Sequence, residues 1–203
     1  MKKVQNLAFE SFDQIDNCRS LSFVAPHQGD GASTAAIATA ISLFKNLASS
    51  VLLVDGNMDI PSLNSCLNIP LSPGLSDLLN NPTMPMDELI HKSNEGFDII
   101  TSGEKIDKWL FKMTSESFKQ ILTNMKKAYD YVLFDLSPVN RFPMINNIMK
   151  QFDGVVLVIA CESTRWDVVQ NMKEKLESSN ANIVGFVLNK RKYYIPKWLY
   201  NFV

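Results

Sequence analysis

Three groups of residues in this 203-residue sequence have the types and spacing for phosphate chemistry. The first is Pro26-His27-Gln28-Gly29-Asp30-Gly31-Ala32-Ser33-Thr34, which follows an apolar run and opens an alanine-rich, helix-forming stretch. Glycines in such a loop let backbone N–H groups turn inward around an anion. A helix N-terminus adds a partial positive charge, and a Ser or Thr hydroxyl can ligate magnesium. Gly29, Asp30, Gly31, Ala32, Ser33 and Thr34 are the candidate binding residues. A lysine for the β- and γ-phosphates is missing, because Ala32 stands at its position, and Pro26 stands where the strict pattern has its first glycine. A plain Gly-Asp-Gly turn capped by Ser33 explains the loop equally well, and the loop alone does not choose.

The second and third groups are carboxylates and an amide at the ends of apolar runs. Val51-Leu-Leu-Val54 ends at Asp55, Tyr131-Val-Leu-Phe134 ends at Asp135, and Ile183-Val-Gly-Phe-Val-Leu188 ends at Asn189. Near-continuous apolar runs are the signature of parallel strands buried on both faces, and ligands of open parallel sheets gather at the carboxyl ends of the strands. In this the ends at Asp55, Asp135 and Asn189 resemble the strand ends of MinD/ParA-type ATPases, a resemblance that implies magnesium at Ser33 and Asp135, a second catalytic carboxylate at Asp55 beside Asp135, and Asn189 among the nucleotide-binding residues.

The elements that must position these groups are legible as an alternation. Apolar runs at 21–25, 51–54, 97–100, 131–134, 155–159 and 183–188 are interleaved with helix-forming stretches at 33–48, 115–129 and 165–178. That pattern predicts an α/β fold, a three-layer domain with a mostly parallel central sheet flanked by helices. Residues 70–95 carry Pro70, Pro73, Pro82 and Pro85 and read as short helices at 74–79 and 86–90 rather than a separate domain. The whole chain, 1–203, is expected to be one domain, with an N-terminal segment at 1–20 and a basic-aromatic tail at 190–203.

Composition narrows the function classes. Twenty basic residues against twenty-one acidic ones give a net charge of −1, which excludes a generic polyanion binder but not a local phosphate site built from backbone N–H groups. Nucleic acid is therefore not an expected partner. Cys18, Cys66 and Cys161 are odd in number and far apart, and His27 and His91 are the only histidines, so neither a disulfide framework nor a histidine metal centre is expected. The longest apolar run, 154–161, falls far short of the ~20 residues that span a bilayer, and the N-terminus lacks a signal-peptide core. The expected location is the cytoplasm.

The combined motifs resemble the cytoplasmic domain of bacterial tyrosine kinases of capsule and exopolysaccharide synthesis (the BY-kinase group), within the MinD/ParA-like P-loop proteins. The resemblance runs over residues 21–192. The family's Pro-Gly-Glu-Gly-Lys-Ser-Thr is Gln28-Gly-Asp-Gly-Ala-Ser-Thr34 here. Its Val-Leu-Leu-Val-Asp-Ala-Asp-Leu-Arg-Arg-Pro is Val51-Leu-Leu-Val-Asp-Gly-Asn-Met-Asp-Ile-Pro61, so Asn57 replaces the second Asp and Asp59 the first Arg. Gly74-Leu-Ser-Asp-Leu78, Tyr129-Asp-Tyr-Val-Leu-Phe-Asp-Leu-Ser-Pro-Val139 and Gly185-Phe-Val-Leu-Asn189 match further family segments.

The resemblance implies ATP or ADP with magnesium at the strand ends, with Asn189 near the adenine. It implies partnership with the cytosolic part of a membrane polysaccharide copolymerase or chain-length protein, recruitment to the inner face of the membrane through that partner, and assembly with copies of itself. The departures change the expected activity. Loss of the lysine removes a charge-assisted contact worth ~1.5–3 kcal/mol, one to two orders of magnitude in affinity, and ~10²–10³ in rate. The expected function is thus a degenerate, pseudokinase-like regulator or scaffold of exopolysaccharide synthesis, leaning away from enzymatic activity. An active ATP-binding autokinase or ATPase and a ParA/MinD-like positioning ATPase are the alternatives. His27 stands where MinD/ParA relatives carry a signature lysine; it reads as a substitute cation or, more simply, as a solvated loop residue. The family's Glu-x-x-Arg-x-x-Arg assembly segment maps to Glu10, Asp13 and Asp16, where two positive charges have become negative. Tyr193, Tyr194 and Tyr200 are a thin version of the family's C-terminal tyrosine cluster, and Trp198, Leu199 and Phe202 suit either docking or folding back onto the domain.

Overall fold

The structure is a computed structural model, and it describes residues 18–142 and 144–191. The expectations at Glu10, Asp13 and Asp16 and at Tyr193, Tyr194, Trp198, Leu199, Tyr200 and Phe202 lie outside the described residues.

Seven strands form one sheet in the order β3-β4-β2-β5-β1-β6-β7. The strands are β1 (Ser20–Val24), β2 (Val51–Asp55), β3 (His91–Lys92), β4 (Asp98–Ile100), β5 (Tyr131–Asp135), β6 (Gly154–Ala160) and β7 (Ile183–Asn189). All neighbours pair in parallel except β3, a two-residue antiparallel edge strand on β4. β1 and β2 are buried along their whole length, as strands covered on both faces must be. The expected α/β architecture is therefore the observed one.

The chain leaves β1 toward β2 on one side, and β6 joins β1 on the other. β1 thus sits at the point where strand order reverses, flanked by β5 and β6. Crevices at such switch points open at the carboxyl ends of the strands.

Helix α1 (Ala32–Leu47) covers one face of the sheet. Its Ala36 and Ala40 are fully buried with Phe23, Leu53 and Leu133, and their small side chains let the helix lie close to the strands. Past its last turn Ala48 adopts a left-handed conformation and donates its N–H to the Leu43 carbonyl. The opposite face is covered by α3 (Leu75–Asn80), α4 (Trp109–Met113), α5 (Glu116–Ala128), α6 (Ile145–Met149) and α7 (Trp166–Ser178). In α5 the buried residues Phe118, Ile121, Leu122 and Met125 form one stripe, and the Ser115 hydroxyl accepts from the Phe118 N–H as its cap. Phe118, Phe134 and Phe152 pack as an aromatic trio between α5 and the sheet, with the Phe134 and Phe152 centroids 4.9 Å apart. Among the described residues no helix is long and apolar enough to cross a membrane.

Three short helices were not legible in the sequence: α2 (Leu63–Leu67), α4 and α6, each of five residues. One and a half turns give no hydrophobic period to read.

Candidate functional site

The carboxyl ends of β1, β2, β5 and β7 bring the sequence-predicted residues together. β1 runs into a loop whose Gly29 and Gly31 both have positive φ, +83° and +104°. Gly31 is the N-cap of α1 and no side chain caps that helix, so its first-turn N–H groups are left for another acceptor. The turn is therefore not the Ser33-capped one. The Ser33 hydroxyl instead shares a hydrogen bond of 2.8 Å with the Ser62 hydroxyl.

Glycine at 31 is required by space as well as by φ. A Cβ there would meet Asn189 Nδ2 at 1.9 Å. Asn189, from the end of β7, donates that amide to the Asp30 carbonyl at 2.8 Å and so fastens the loop from the far side. The Asp30 carboxylate accepts from the His27 N–H at 3.1 Å and lies 3.4 Å from His27 Nδ1. His27 Nε2 faces Asn140 Nδ2 at 3.3 Å. His27 is half exposed and stands between Asp30 and Asn140. Ala32 begins the helix with a side chain that carries no charge.

Asp55 and Asp135 are register partners on adjacent strands, both buried. Asp55 organises the loop that follows it. Its oxygens accept from the N–H groups of Asn57 (3.0 Å), Ser62 (3.1 Å) and Leu63 (3.1 Å). Burial pushes its carboxyl above the usual aspartate range, and those three backbone bonds pull the other way. Asn57, buried, accepts from the Ser137 hydroxyl at 2.6 Å and from the Ile60 N–H at 3.3 Å. Its amide therefore ties the β2 loop to the β5 loop.

Asp135 is more strongly perturbed. Burial and the facing charge of Asp55 push its carboxyl up to about 8, against the hydroxyls of Ser33 and Ser62. Its Oδ2 is buried with no hydrogen-bond partner among the described residues. A buried, unsatisfied carboxylate oxygen beside two hydroxyls is a donor set for a hard cation that takes oxygen ligands. Magnesium fits Ser33 and Asp135 on that ground. The glycine turn and the uncapped helix N-terminus fit phosphate, whereas no cation stands at 32.

Ser62 belongs to this cluster and was missed in the sequence. Nothing in its neighbours marks it; its place follows from the bonds that Asp55 makes to the loop.

The profile of AAA_31, described as an AAA domain, matches residues 19–184. Tyrosine-protein kinase YwqD of Bacillus subtilis (strain 168) is 27% identical over 188 residues, 92% of this chain and 78% of that protein. Putative tyrosine-protein kinase CapB of Staphylococcus aureus is 27% identical over 139 residues, 68% of this chain but only 61% of that protein's length. Among solved structures, the chimerical protein CapA2B2 superposes with a TM-score of 0.80 at 29% identity, covering 87% of this chain and 77% of that one.

Proposed function

Because the chain belongs to the AAA_31 family of AAA domains, we infer that it is a nucleotide-site relative of the bacterial capsule tyrosine kinases whose catalytic charge has been removed. It acts as a regulatory or scaffolding component of exopolysaccharide synthesis in the cytoplasm, docking to the cytosolic part of a membrane copolymerase. The whole chain serves as one domain in this role. The observation that carries the reading is Ala32 at the head of an uncapped α1, in a site whose remaining parts are assembled.

Each part has a role in binding. The backbone of residues 29–34 holds phosphate oxygens, with Asn189 fixing the shape of that turn through the Asp30 carbonyl. Ser33 and Asp135 would hold magnesium, which when bound supplies charge neutralisation at the phosphates. Asp55 orders the loop that carries Ser62 to the cation side. What is missing is the donor that stabilises charge developing on a transferred phosphoryl group, a loss of ~10²–10³ in rate.

One observation favours the alternative, an active ATPase or autokinase: the Asp55–Asp135 pair is intact and paired in register. The two readings separate on ATP turnover by the native protein and by Ala32→Lys. A silent parent with a variant that gains magnesium-dependent turnover supports the first. A parent that turns over as fast as the variant refutes it.

A further inference from the structure

The loop after β2 carries another carboxylate, Asp59, which holds two cations from two different loops. Lys105 Nζ lies 2.7 Å from its Oδ1, and Arg141 Nε lies 2.5 Å from its Oδ2. The Asp59 side chain is only 9% exposed, whereas Arg141 is 46% and Lys105 61% exposed. Asp59 is thus matched by two cations, one more than it needs for neutralisation.

Arg141 and Lys105 differ in where they are fastened. Arg141 rides on the loop after β5, the strand next to β1. That loop is tied to the phosphate turn twice. Val139 N–H donates to the Ala25 carbonyl at 3.1 Å, and Asn140 Nδ2 meets His27 Nε2 at 3.3 Å. Lys105 comes from beyond β4, which β2 and β5 separate from β1.

The bond between Arg141 and Asp59 is also poorly made. Asp59 Oδ2 is buried and lacks an aligned hydrogen bond although the guanidinium is adjacent. The contact given is through Nε, and the guanidinium carbon also stands 6.0 Å from the Phe142 ring centroid. Arginine's planar fork matches a phosphate in two parallel bonds, a geometry that a single Nε contact to a carboxylate does not use. Lys105 would remain to neutralise Asp59 if Arg141 turned away.

We propose that Arg141 supplies the cationic contact to the terminal phosphates of a bound nucleotide that Ala32 cannot, and that Asp59 holds it beside the phosphate loop until they arrive. The proposal rests on the reading that residues 29–34 receive those phosphates.

Titration calorimetry with magnesium–ATP and with magnesium–tripolyphosphate tests it on four proteins: native, Arg141→Gln, Asp59→Asn and the double variant. Removing Arg141 is expected to weaken both ligands at least ~10-fold, the scale of one charge-assisted contact. Asp59→Asn, which frees the guanidinium, is expected to bind as tightly as native or tighter. The double variant is expected to bind at least ~10-fold more weakly than Asp59→Asn, and this comparison stands even where Arg141→Gln alone fails to fold. Native-like binding by Arg141→Gln overturns the proposal and leaves the nucleotide reading standing. So does a double variant that equals Asp59→Asn, because Arg141 would then act only by neutralising Asp59. Absence of binding by both native and Asp59→Asn at millimolar ligand overturns the nucleotide reading and the proposal with it.

Discussion

Replacing Asp135 with asparagine is expected to stabilise the metal-free protein at neutral and alkaline pH. Asp135 is fully buried, and burial together with the Asp55 charge carries its carboxyl from 3.8 to about 8. The folded state therefore holds a proton that the unfolded chain releases above pH ~4. The stabilisation from that proton is complete below the unfolded value and is lost as pH rises through about 8. At ~1.4 kcal/mol per pH unit, the gap sets a ceiling of ~6 kcal/mol on the loss. The part of that gap lying between pH 5 and about 8 corresponds to at most ~4 kcal/mol of native stability. Urea unfolding in EDTA at pH 5 and pH 8.5 measures it. Native and Asp135→Asn should be close in stability at pH 5 and diverge at pH 8.5, with the variant the more stable. A native protein that gains stability relative to the variant as pH rises would refute the reasoning, because Asp135 would then be favoured in its charged form without a metal.

Other perturbations follow from the same contacts. Gly31→Ala should lower the melting temperature and loosen the phosphate turn, since it places a side chain at φ +104° and against Asn189; ~1–3 kcal/mol is expected from thermal unfolding. Phe118→Ala removes one member of the aromatic trio under α5 and should cost ~3–5 kcal/mol in urea unfolding, with no direct effect on ligand contacts. Asp153 behaves oppositely to Asp135. Burial would raise its carboxyl, but the Lys126 ammonium and the Ser20 hydroxyl and N–H outweigh that and hold it below 3.8. Its contribution is present above pH ~4 and lost as pH falls through its lowered folded value, so Asp153→Asn should flatten the acid limb of the stability profile.

The sheet was legible because its inner strands are buried on both faces and so appear as largely apolar runs, several stopping at a polar residue, while the edge strand β7 keeps an apolar run although Phe186 and Leu188 are exposed. Asp55 and Asp135 could be matched by that feature alone, and the structure sets them side by side on β2 and β5. Gly31 and Asn189 were legible as separate candidates, but not as a pair. Their contact depends on β7 lying two strands from β1, which only the topology supplies. Ser62 was invisible because its position comes from backbone bonds to Asp55 rather than from any pattern of its own. Asp59 drew notice as a lost basic residue; that it gathers Lys105 and Arg141 from two distant loops is a property of the folded chain. The two-residue strand β3 and the five-residue helices are too short to impose a period on their sequences.

The central claim is that a nucleotide-binding site persists here without the phosphate-loop lysine that drives phosphoryl transfer, any contact from Arg141 serving binding alone. The direct test is a quenched-flow single-turnover experiment with γ-labelled ATP and magnesium, on native protein at concentrations above its measured affinity. The account expects bound ATP to be recovered intact over minutes, with no labelled phosphate and no labelled tyrosine. Transfer or hydrolysis at ~1–100 per second, the range of working kinases, would contradict it.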